Sequence, residues 1–405
     1  MFIRKTIFEI NLMTILLVSV YSTANAATIY GCQDKNGKMS FSNSACSSNS
    51  KELFKKFIPG SDKAAGTNKP VVQANTTAPV IKASQATLTL PSAPSTQPKS
   101  DRFFAKNSFW YTPLPNNVTL ATNSDLLTEE FLRQKTKYFN TVTISPHDYS
   151  SPVYTVGANV KTVQVQHYDC MKQGYKIDTN LMNQWSAVPI PEYAVPAGGR
   201  DSEMTIYQPS TDTIWEFWRA KKDVITGQWS GCWGGRLQNI SSSDGTFTGK
   251  YGASATSIPF IGGQITAEEL QSGVINHVIG LSLVELEHWD IFSYPAHRSD
   301  GSNPSGMPNR IAEGQRFRLD PNVNVDSLKM HPIGKIIAKA AQKYGFVVWD
   351  KSGSLSMRAR NSLSYTTIGQ DDPYVKLWNG SPNYFIMNNF PWDKLQFLPK
   401  DYGKP

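Results

Sequence analysis

The sequence predicts a mainly β protein, in which a β-sandwich or jelly-roll-like domain carries a few peripheral helices and follows a small disulfide-stapled β-hairpin unit. Short runs rich in β-branched and aromatic residues recur along the chain, separated by clusters of Pro, Gly, Asn, Asp and Ser. Charged residues make up 18% of the 405 residues, below the roughly 25% of an average globular protein. Helical patterns are few and do not alternate with strands as parallel βαβ units require.

The chain begins with the pattern of a secretory signal peptide, which we expect to occupy residues 1–26. Arg4 and Lys5 supply the positive charge, residues 12–20 form a short apolar core, and residues 24–26 read as an Ala-x-Ala cleavage site. The apolar core is shorter than the roughly 20 residues of a membrane-spanning helix. We therefore expect a secreted or periplasmic protein that keeps no transmembrane segment after cleavage.

Residues 27–58 are predicted to form the small hairpin unit. Asn36 and Gly37 lie between two β-prone runs, and both residues tolerate the positive φ angles of a tight hairpin turn. A two-stranded hairpin is marginally stable by itself. A disulfide between Cys32 and Cys46 would stabilise a unit of this size.

The mature chain contains four cysteines, for which three pairings are possible. Their spacing favours Cys32 with Cys46 and Cys170 with Cys232, because any other pairing would span the linker between the two folded regions. Export to an oxidising compartment favours disulfides over free thiols. Zinc binding is the alternative, but no Cys-x-x-Cys motif or ligand-spaced histidine accompanies the cysteines. We expect no metal and no cofactor.

Residues 59–100 are predicted to be a disordered linker rich in Pro, Thr, Ser and Ala, since they contain few apolar anchors. Residues 101–405 form the predicted main β-rich domain. Its clearest helix covers residues 332–344, with one apolar face and Gly345 at its end. A further short helix is expected after the capping box that begins at Thr266.

The first candidate site is the predicted hairpin of residues 201–218. On its second strand Glu216 lies among aromatic residues, and a poorly solvated carboxyl group has a raised pKa that suits an acid near neutral pH. Tyr207 and Trp218 offer rings on which a sugar can stack. The alternative is a core strand in which Glu216 forms a salt bridge at the sheet edge.

The second candidate site is the loop of residues 294–301, which contains His297, Arg298 and Asp300. Arg298 is suited to hold a carboxylate with two hydrogen bonds. Asp300 is a candidate partner for Glu216, because glycosidases use two carboxyl groups. Its position before a glycine is equally typical of turn chemistry.

Three further segments have both a structural and a functional interpretation. His277 lies in an apolar run and reads either as a hydrogen-bonded core residue or as a general base. Residues 229–236 place two tryptophans beside a cysteine and read as a structural corner or a sugar platform. Residues 313–320 alternate charges around an apolar spine, as in a salt-bridged edge strand. The candidate catalytic residues are Glu216, Asp300 and His277, and the candidate substrate-binding residues are Arg298, Tyr207, Trp218 and His297.

Two segments resemble known families. The pattern Tyr30-x-Cys32-x-Asp34-x-x-Gly37, continued to Cys46, resembles a short domain of unknown function at the N-terminus of exported proteobacterial proteins. Residues 185–398 resemble a largely uncharacterised family of exported bacterial proteins. Both resemblances imply export, and neither implies an activity.

The expected function is that of a secreted carbohydrate-active enzyme that cleaves a cell-wall or extracellular polysaccharide by hydrolysis or β-elimination. The net charge of +8 has two interpretations, a contribution to solubility or attraction to an anionic glycan. No nucleic-acid-binding motif is present. The first alternative is a non-catalytic glycan-binding or adhesion protein of the cell envelope. The second is an exported esterase or protease, although no Gly-x-Ser-x-Gly nucleophile motif occurs.

Overall fold

The computed structural model describes the backbone of residues 27–34, 39–42 and 50–58 and the whole of residues 102–405. These residues fall into two compact units, one within Met1–Thr87 and one within Leu88–Pro405. The predicted signal peptide, the predicted linker and Cys46 lie outside the described residues.

The first unit is a three-stranded antiparallel sheet of β1 (Ala27–Asp34), β2 (Met39–Ser42) and β3 (Ser50–Ile58), with β1 in the centre. Strands β1 and β2 pair with Cys32 opposite Ser40, which confirms the predicted hairpin. The third strand was not predicted. It pairs along the whole of β1 and gives the unit the three strands that a sheet needs for stability.

The second unit contains thirteen strands and seven α-helices among the described residues. The strands are β4 (Thr143–Ser145), β5 (Val153–Thr155), β6 (Val165–His167), β7 (Met204–Gln208), β8 (Thr213–Trp218), β9 (Lys221–Lys222), β10 (Trp229–Gly231), β11 (Trp233–Gln238), β12 (Ile279–Leu283), β13 (Arg316–Leu319), β14 (Phe346–Lys351), β15 (Ser356–Arg358) and β16 (Leu395–Phe397). The helices are α1 (Ser124–Lys137), α2 (Thr179–Gln184), α3 (Phe260–Gly263), α4 (Ala267–Ser272), α5 (Pro332–Lys343), α6 (Leu363–Thr366) and α7 (Pro373–Trp378).

The strands of the second unit form three mixed sheets. The largest has six strands in the order β16-β13-β14-β12-β15-β4, the second is β11-β8-β7-β5, and the smallest is β6-β10-β9. Parallel pairs occur in all three, namely β12 with β14, β15 with β4, β5 with β7, and β6 with β10. The predicted class, mainly β with a few peripheral helices, is confirmed.

Local signals account for several elements. Helix α4 begins at Thr266 with a complete capping box and ends at Gly273, whose φ is 81°, and helix α5 begins with Pro332 as predicted. Strands β7 and β8 form the predicted antiparallel hairpin. The interpretation of residues 313–320 as a salt-bridged edge strand is wrong. Strand β13 lies between β16 and β14, and Arg318 donates hydrogen bonds to backbone carbonyls instead.

Trp349 lies in β14, in the middle of the six-stranded sheet, and packs closely against β12. It is completely buried and forms a bulge in β14, because Leu281 and Ser282 of β12 pair with Val348 and Asp350 and skip it. Its ring lies directly on Gly280, where a Cβ atom would come within 2.3 Å of the ring. Bulges redirect neighbouring side chains, and the next residue along β14 is Asp350.

The close contact between Trp349 and Gly280 predicts a large effect of one methyl group. We expect Gly280→Ala to lower the free energy of unfolding by about 1–3 kcal/mol or more, since the buried ring has no room to move. Chemical denaturation measures this change. Gly353→Ala is the matched control, because no atom lies within 4 Å of its added Cβ. Equal stability of the two variants would contradict the packing argument.

Candidate functional site

A pocket of about 220 Å³ lies between residues of the six-stranded and four-stranded sheets. Its polar lining contains four acidic side chains and two basic ones, and two tryptophan rings complete it. These residues are Asp201, Glu203, Asp300, Asp350, Arg298, Lys351, Trp218 and Trp233. The pocket thus combines carboxyl groups with flat apolar surfaces.

A buried guanidinium holds two of the acids. Arg358, at the end of β15, contacts the Glu203 carboxylate through Nη1 and lies 2.9 Å from Asp350 Oδ2 through Nη2. Its guanidinium carbon lies 4.1 Å from the centre of the Phe260 ring, a cation–π distance. Burial raises the pKa of Glu203 in spite of the positive charge beside it. The ion pairs therefore join β15 to β14 and to the residue that precedes β7.

Asp350 is the pocket acid whose pKa lies close to neutral pH. Burial raises its pKa to about 7, Arg358 opposes the rise, and neighbouring carboxyl groups such as Asp300 add to it. The backbone N–H groups of Ala255 and Lys351 donate to its Oδ1 at 3.3 and 3.1 Å. A carboxyl group with a pKa near 7 both gives and accepts a proton at neutral pH.

Asp300 is the exposed carboxyl group of the pocket. The Lys351 amine lies 3.7 Å from its Oδ2 and donates to its backbone carbonyl at 2.9 Å. Its backbone N–H donates to Glu313 Oε2 at 2.9 Å. Glu313 is completely buried, and burial together with Asp300 and Asp350 raises its pKa well above the usual range. Asp300 is thus held through its backbone by a buried carboxyl group whose pKa is raised.

The two tryptophans lie side by side on neighbouring strands. Trp218 ends β8, Trp233 begins β11, and the two residues are direct partners in the antiparallel pairing. The Trp218 indole N–H donates to Asp201 Oδ1 at 2.9 Å. The Trp233 ring stacks on Tyr251 with the ring centres 5.8 Å apart. Both rings are half-buried, so each keeps part of its surface open to the pocket.

A disulfide links Cys170 to Cys232, with a Cα–Cα distance of 5.4 Å, as predicted. Cys232 lies between strands β10 and β11 and directly precedes Trp233. The bond therefore fixes the start of β11 and with it one tryptophan of the pocket.

Of the predicted site residues, Asp300, Arg298 and Trp218 line this pocket together. The Arg298 guanidinium already forms hydrogen bonds with other groups of the protein. Its Nε donates to Ser257 Oγ at 3.2 Å, and its Nη2 donates to the carbonyls of Gly252 and Ser254. Burial lowers its pKa. The guanidinium thus holds the segment of residues 252–257 in place.

Glu216 lies beneath the pocket and is completely buried. Its Oε1 accepts the Ile261 N–H at 3.2 Å, and its Oε2 has no hydrogen-bond partner among the described residues. Burial raises its pKa to about 8, and the nearby Glu203 adds to the rise while Arg358 opposes it. Glu216 is therefore coupled to the pocket acids through their charges, with its own carboxyl group enclosed.

The structure places the other three predicted residues outside the pocket lining. His277 is buried with Nε2 3.2 Å from Glu269, the capping-box acid of α4. The Tyr207 ring packs edge-on against Phe103 with the ring centres 5.3 Å apart. His297 Nε2 lies 3.4 Å from a threonine hydroxyl, Thr246 Oγ1.

Asp201, Glu203 and Asp350 were not among the predicted site residues, and Trp233 belonged to a segment with two interpretations, a structural corner or a sugar platform. A signal for two of them was present. Glu203 directly precedes, and Asp350 directly follows, a run of apolar and β-prone residues. A carboxyl group at the end of a buried strand meets other strand ends, where sites are commonly built.

The residues that the structure describes contain no group of three or more His, Cys, Asp or Glu side chains placed to hold a metal ion. Within that same part of the chain, no helix is both long and apolar enough to cross a membrane.

Residues 16–99 match a family described as "Domain of unknown function (DUF4124)". This match confirms the resemblance of the N-terminal segment to a short domain of unknown function. No curated protein and no solved structure matches the chain.

The enclosed Glu216 predicts a pH-dependent stability. Its folded pKa of about 8 lies above the unfolded value of about 4.3, so the folded state binds an extra proton between these limits. The stability that the protonated Glu216 side chain gives the folded state is fully present below about pH 4. It is lost as the pH rises through about 8. We expect Glu216→Gln, which cannot ionise, to lose about 3–4 kcal/mol less stability than the wild type between about pH 5 and pH 8, since each pH unit in this range costs the wild type about 1.4 kcal/mol at most.

Urea denaturation at both pH values measures the difference. Glu192→Gln is the control, since Glu192 is exposed and its replacement is expected to leave the pH dependence as it is. If Glu216→Gln follows the wild-type pH profile, the Glu216 carboxyl group is ionised in the folded protein.

Proposed function

We propose that the protein is an exported carbohydrate-active enzyme that hydrolyses a polysaccharide at the pocket between Trp218 and Trp233. The observation that carries this proposal is that one pocket contains two carboxyl groups in different environments, Asp350 and Asp300. Glycosidases need such a pair, with one protonated acid and one carboxylate.

Asp350 takes the role of the acid. With a pKa of about 7, a substantial fraction of its carboxyl groups carries a proton at neutral pH, and this proton passes to the glycosidic oxygen as the bond to the sugar breaks. A water molecule then adds its oxygen to the anomeric carbon and gives a proton back to the Asp350 carboxylate, which completes the hydrolysis. Arg358 limits the rise in pKa and orients the carboxyl group, because its Nη2 lies 2.9 Å from Oδ2.

Asp300 takes the role of the second carboxylate. Its side chain is exposed, and the Lys351 amine lies 3.7 Å from its Oδ2. A carboxylate in this position stabilises the positive charge that develops on the sugar ring in the transition state. Glu313 holds the backbone of Asp300 from below.

The tryptophans provide the sugar-binding surface. Trp218 and Trp233 lie side by side on paired strands, and Tyr251 stacks against Trp233 and supports its ring. Large rings offer apolar area at a low entropic cost. Their hydrogen-bonding edges are already satisfied, since Trp218 donates to Asp201 and Trp233 to the Lys250 carbonyl.

The charges of the pocket favour hydrolysis of a neutral glycan over β-elimination at a uronate. Its four acidic side chains outnumber the two basic ones of the lining and the buried Arg358 that pairs two of them, so an anionic sugar would meet a surplus of carboxyl groups. In addition, two of the three guanidinium nitrogens of Arg298, Nε and Nη2, already bind the protein's own groups. The proposed substrate is therefore a neutral glycan, not the anionic one that the net charge of the chain suggested.

The alternative function is glycan binding without turnover, which the tryptophan pair supports by itself. An esterase or protease has less support. A serine nucleophile in this pocket would have to be Ser254. Its side chain is completely buried, and its hydroxyl donates to the Ile258 carbonyl at 2.8 Å. Export is supported by the signal-peptide pattern and by the Cys170–Cys232 disulfide.

The acid role of Asp350 predicts a strong effect of one substitution. We expect Asp350→Asn to lower kcat about 100-fold or more on the polysaccharide that a glycan panel identifies as substrate, since no proton reaches the leaving oxygen. The wild-type rate should fall as the pH rises above about 7, where Asp350 loses its proton.

The control is Asp371→Asn, which changes an exposed aspartate. Circular dichroism checks that both variants are folded. A folded Asp350→Asn protein with the wild-type rate removes Asp350 from the mechanism. A wild type that binds glycans of the panel and releases no product selects the glycan-binding alternative.

The aromatic surface predicts a separate effect on affinity. We expect Trp233→Ala to weaken glycan binding about tenfold, because a stacking surface is lost while both carboxyl groups remain. Isothermal titration measures the dissociation constant. Trp289→Ala is the matched control, since Trp289 is 61% exposed and lies outside the pocket lining. An equal effect of the two substitutions would exclude Trp233 from the binding surface.

A further inference from the structure

We propose that the tip of the β9–β10 hairpin, residues 223–228, inserts into the surface of an anionic lipid bilayer. Val224 and Ile225 lie at this tip with 97% and 91% of their surface exposed, more than any other large hydrophobic residue among those described. Two adjacent aliphatic side chains in water are unfavourable unless a partner covers them.

The tip is held in one conformation. Asp223 Oδ1 accepts the N–H groups of Ile225 and Thr226 at 3.0 and 2.7 Å, and the Thr226 hydroxyl at 2.9 Å. The Asp223 N–H donates to the Gln228 carbonyl, and the Gly227 N–H donates to the Asp223 carbonyl, both at 2.9 Å. The aliphatic side chains are thus presented outward, and insertion requires no ordering of the loop.

The base of the tip is anchored in the protein. Strand β10 pairs on both sides, with β9 and with β6, and the Trp229 side chain at its start is buried. Gln228 Nε2 donates to the Gln164 carbonyl at 2.9 Å. The Cys170–Cys232 disulfide fixes the end of the same strand. Because its base is held in place, the tip would enter the bilayer without a change in its position on the protein.

Charge complementarity identifies the partner. Lys221 and Lys222 are exposed at the base of the hairpin, and neither forms an ion pair with a residue that the structure describes. The carboxylate of Asp223, the acidic residue beside them, is occupied in the turn. Apolar side chains flanked by lysines match the surface of an anionic bilayer, where acyl chains lie below phosphate groups.

A second copy of the chain fits this surface less well. A stable protein–protein interface buries about 800 Å² on each partner, far more than two aliphatic side chains provide. Two copies would also bring the lysines of their tips together. The lipid proposal stands on the hairpin alone and does not depend on the glycan-hydrolase proposal.

The test is co-sedimentation of the mature full-length protein with vesicles of equal parts phosphatidylcholine and phosphatidylglycerol, and with vesicles of phosphatidylcholine alone. We expect the wild type to bind the anionic vesicles, and more weakly at high salt. The double variant Val224→Ser/Ile225→Ser should lower the partition coefficient about tenfold or more. Lys221→Gln/Lys222→Gln should lower it severalfold and reduce its salt dependence.

The matched control is Val375→Ser/Lys376→Gln on α7, which changes an exposed valine and an exposed lysine elsewhere and should leave binding unchanged. The proposal is overturned if the wild type does not bind the anionic vesicles, or if the tip variant binds them equally well. It is also overturned if the tip variant only converts a dimer into a monomer in sedimentation velocity, since a second copy then covers the tip. Turnover of soluble glycan is expected to stay constant in all variants, which separates this test from that of the hydrolase.

Discussion

The guanidinium of Arg358 is the interaction on which the rest of the site depends. It is almost completely buried and neutralises Glu203 and Asp350, which come from two different sheets. A buried ion pair is weak evidence for stability, but removing one partner leaves an uncompensated charge in a medium of low polarity. Without Arg358 two acids would face each other, and the sheets would separate or the acids would bind protons. One side chain therefore joins the two sheets and limits how far burial raises the pKa of the pocket acids.

The position of Asp350 follows from packing one residue earlier. Trp349 is excluded from the ladder between β12 and β14, and it has room because Gly280 lacks a side chain. The bulge lets β14 keep its pairing with β12 on both sides of the tryptophan. A packing constraint inside the sheet thus determines where the carboxyl group near the end of β14 is placed. Such coupling between core and site is expected where bulges lie next to pockets.

Local features of this fold were predictable from the sequence, and long-range ones were not. The capping box at Thr266, the helix after Pro332 and the β7–β8 hairpin each depend on residues close together in the chain. The pocket joins Glu203 and Asp350, which are 147 positions apart and meet only through the mixed sheets. Apolar surroundings correctly indicated a poorly solvated Glu216, but periodicity alone could not distinguish a carboxyl group lining a pocket from one sealed beneath it.

The short connection between β10 and β11 would determine how far the pocket lies from a bilayer that the hairpin tip enters. Only Cys232 separates β10, the strand that follows the hairpin tip, from Trp233. From Trp229 to Trp233 the chain spans at most roughly 14 Å, and the disulfide at Cys232 keeps this distance constant. A tip resting among lipid headgroups would thus hold the tryptophan surface at a fixed, short height above the bilayer. The polymers within reach would be those that lie flat against the envelope, and freely diffusing oligosaccharides would gain nothing from this placement.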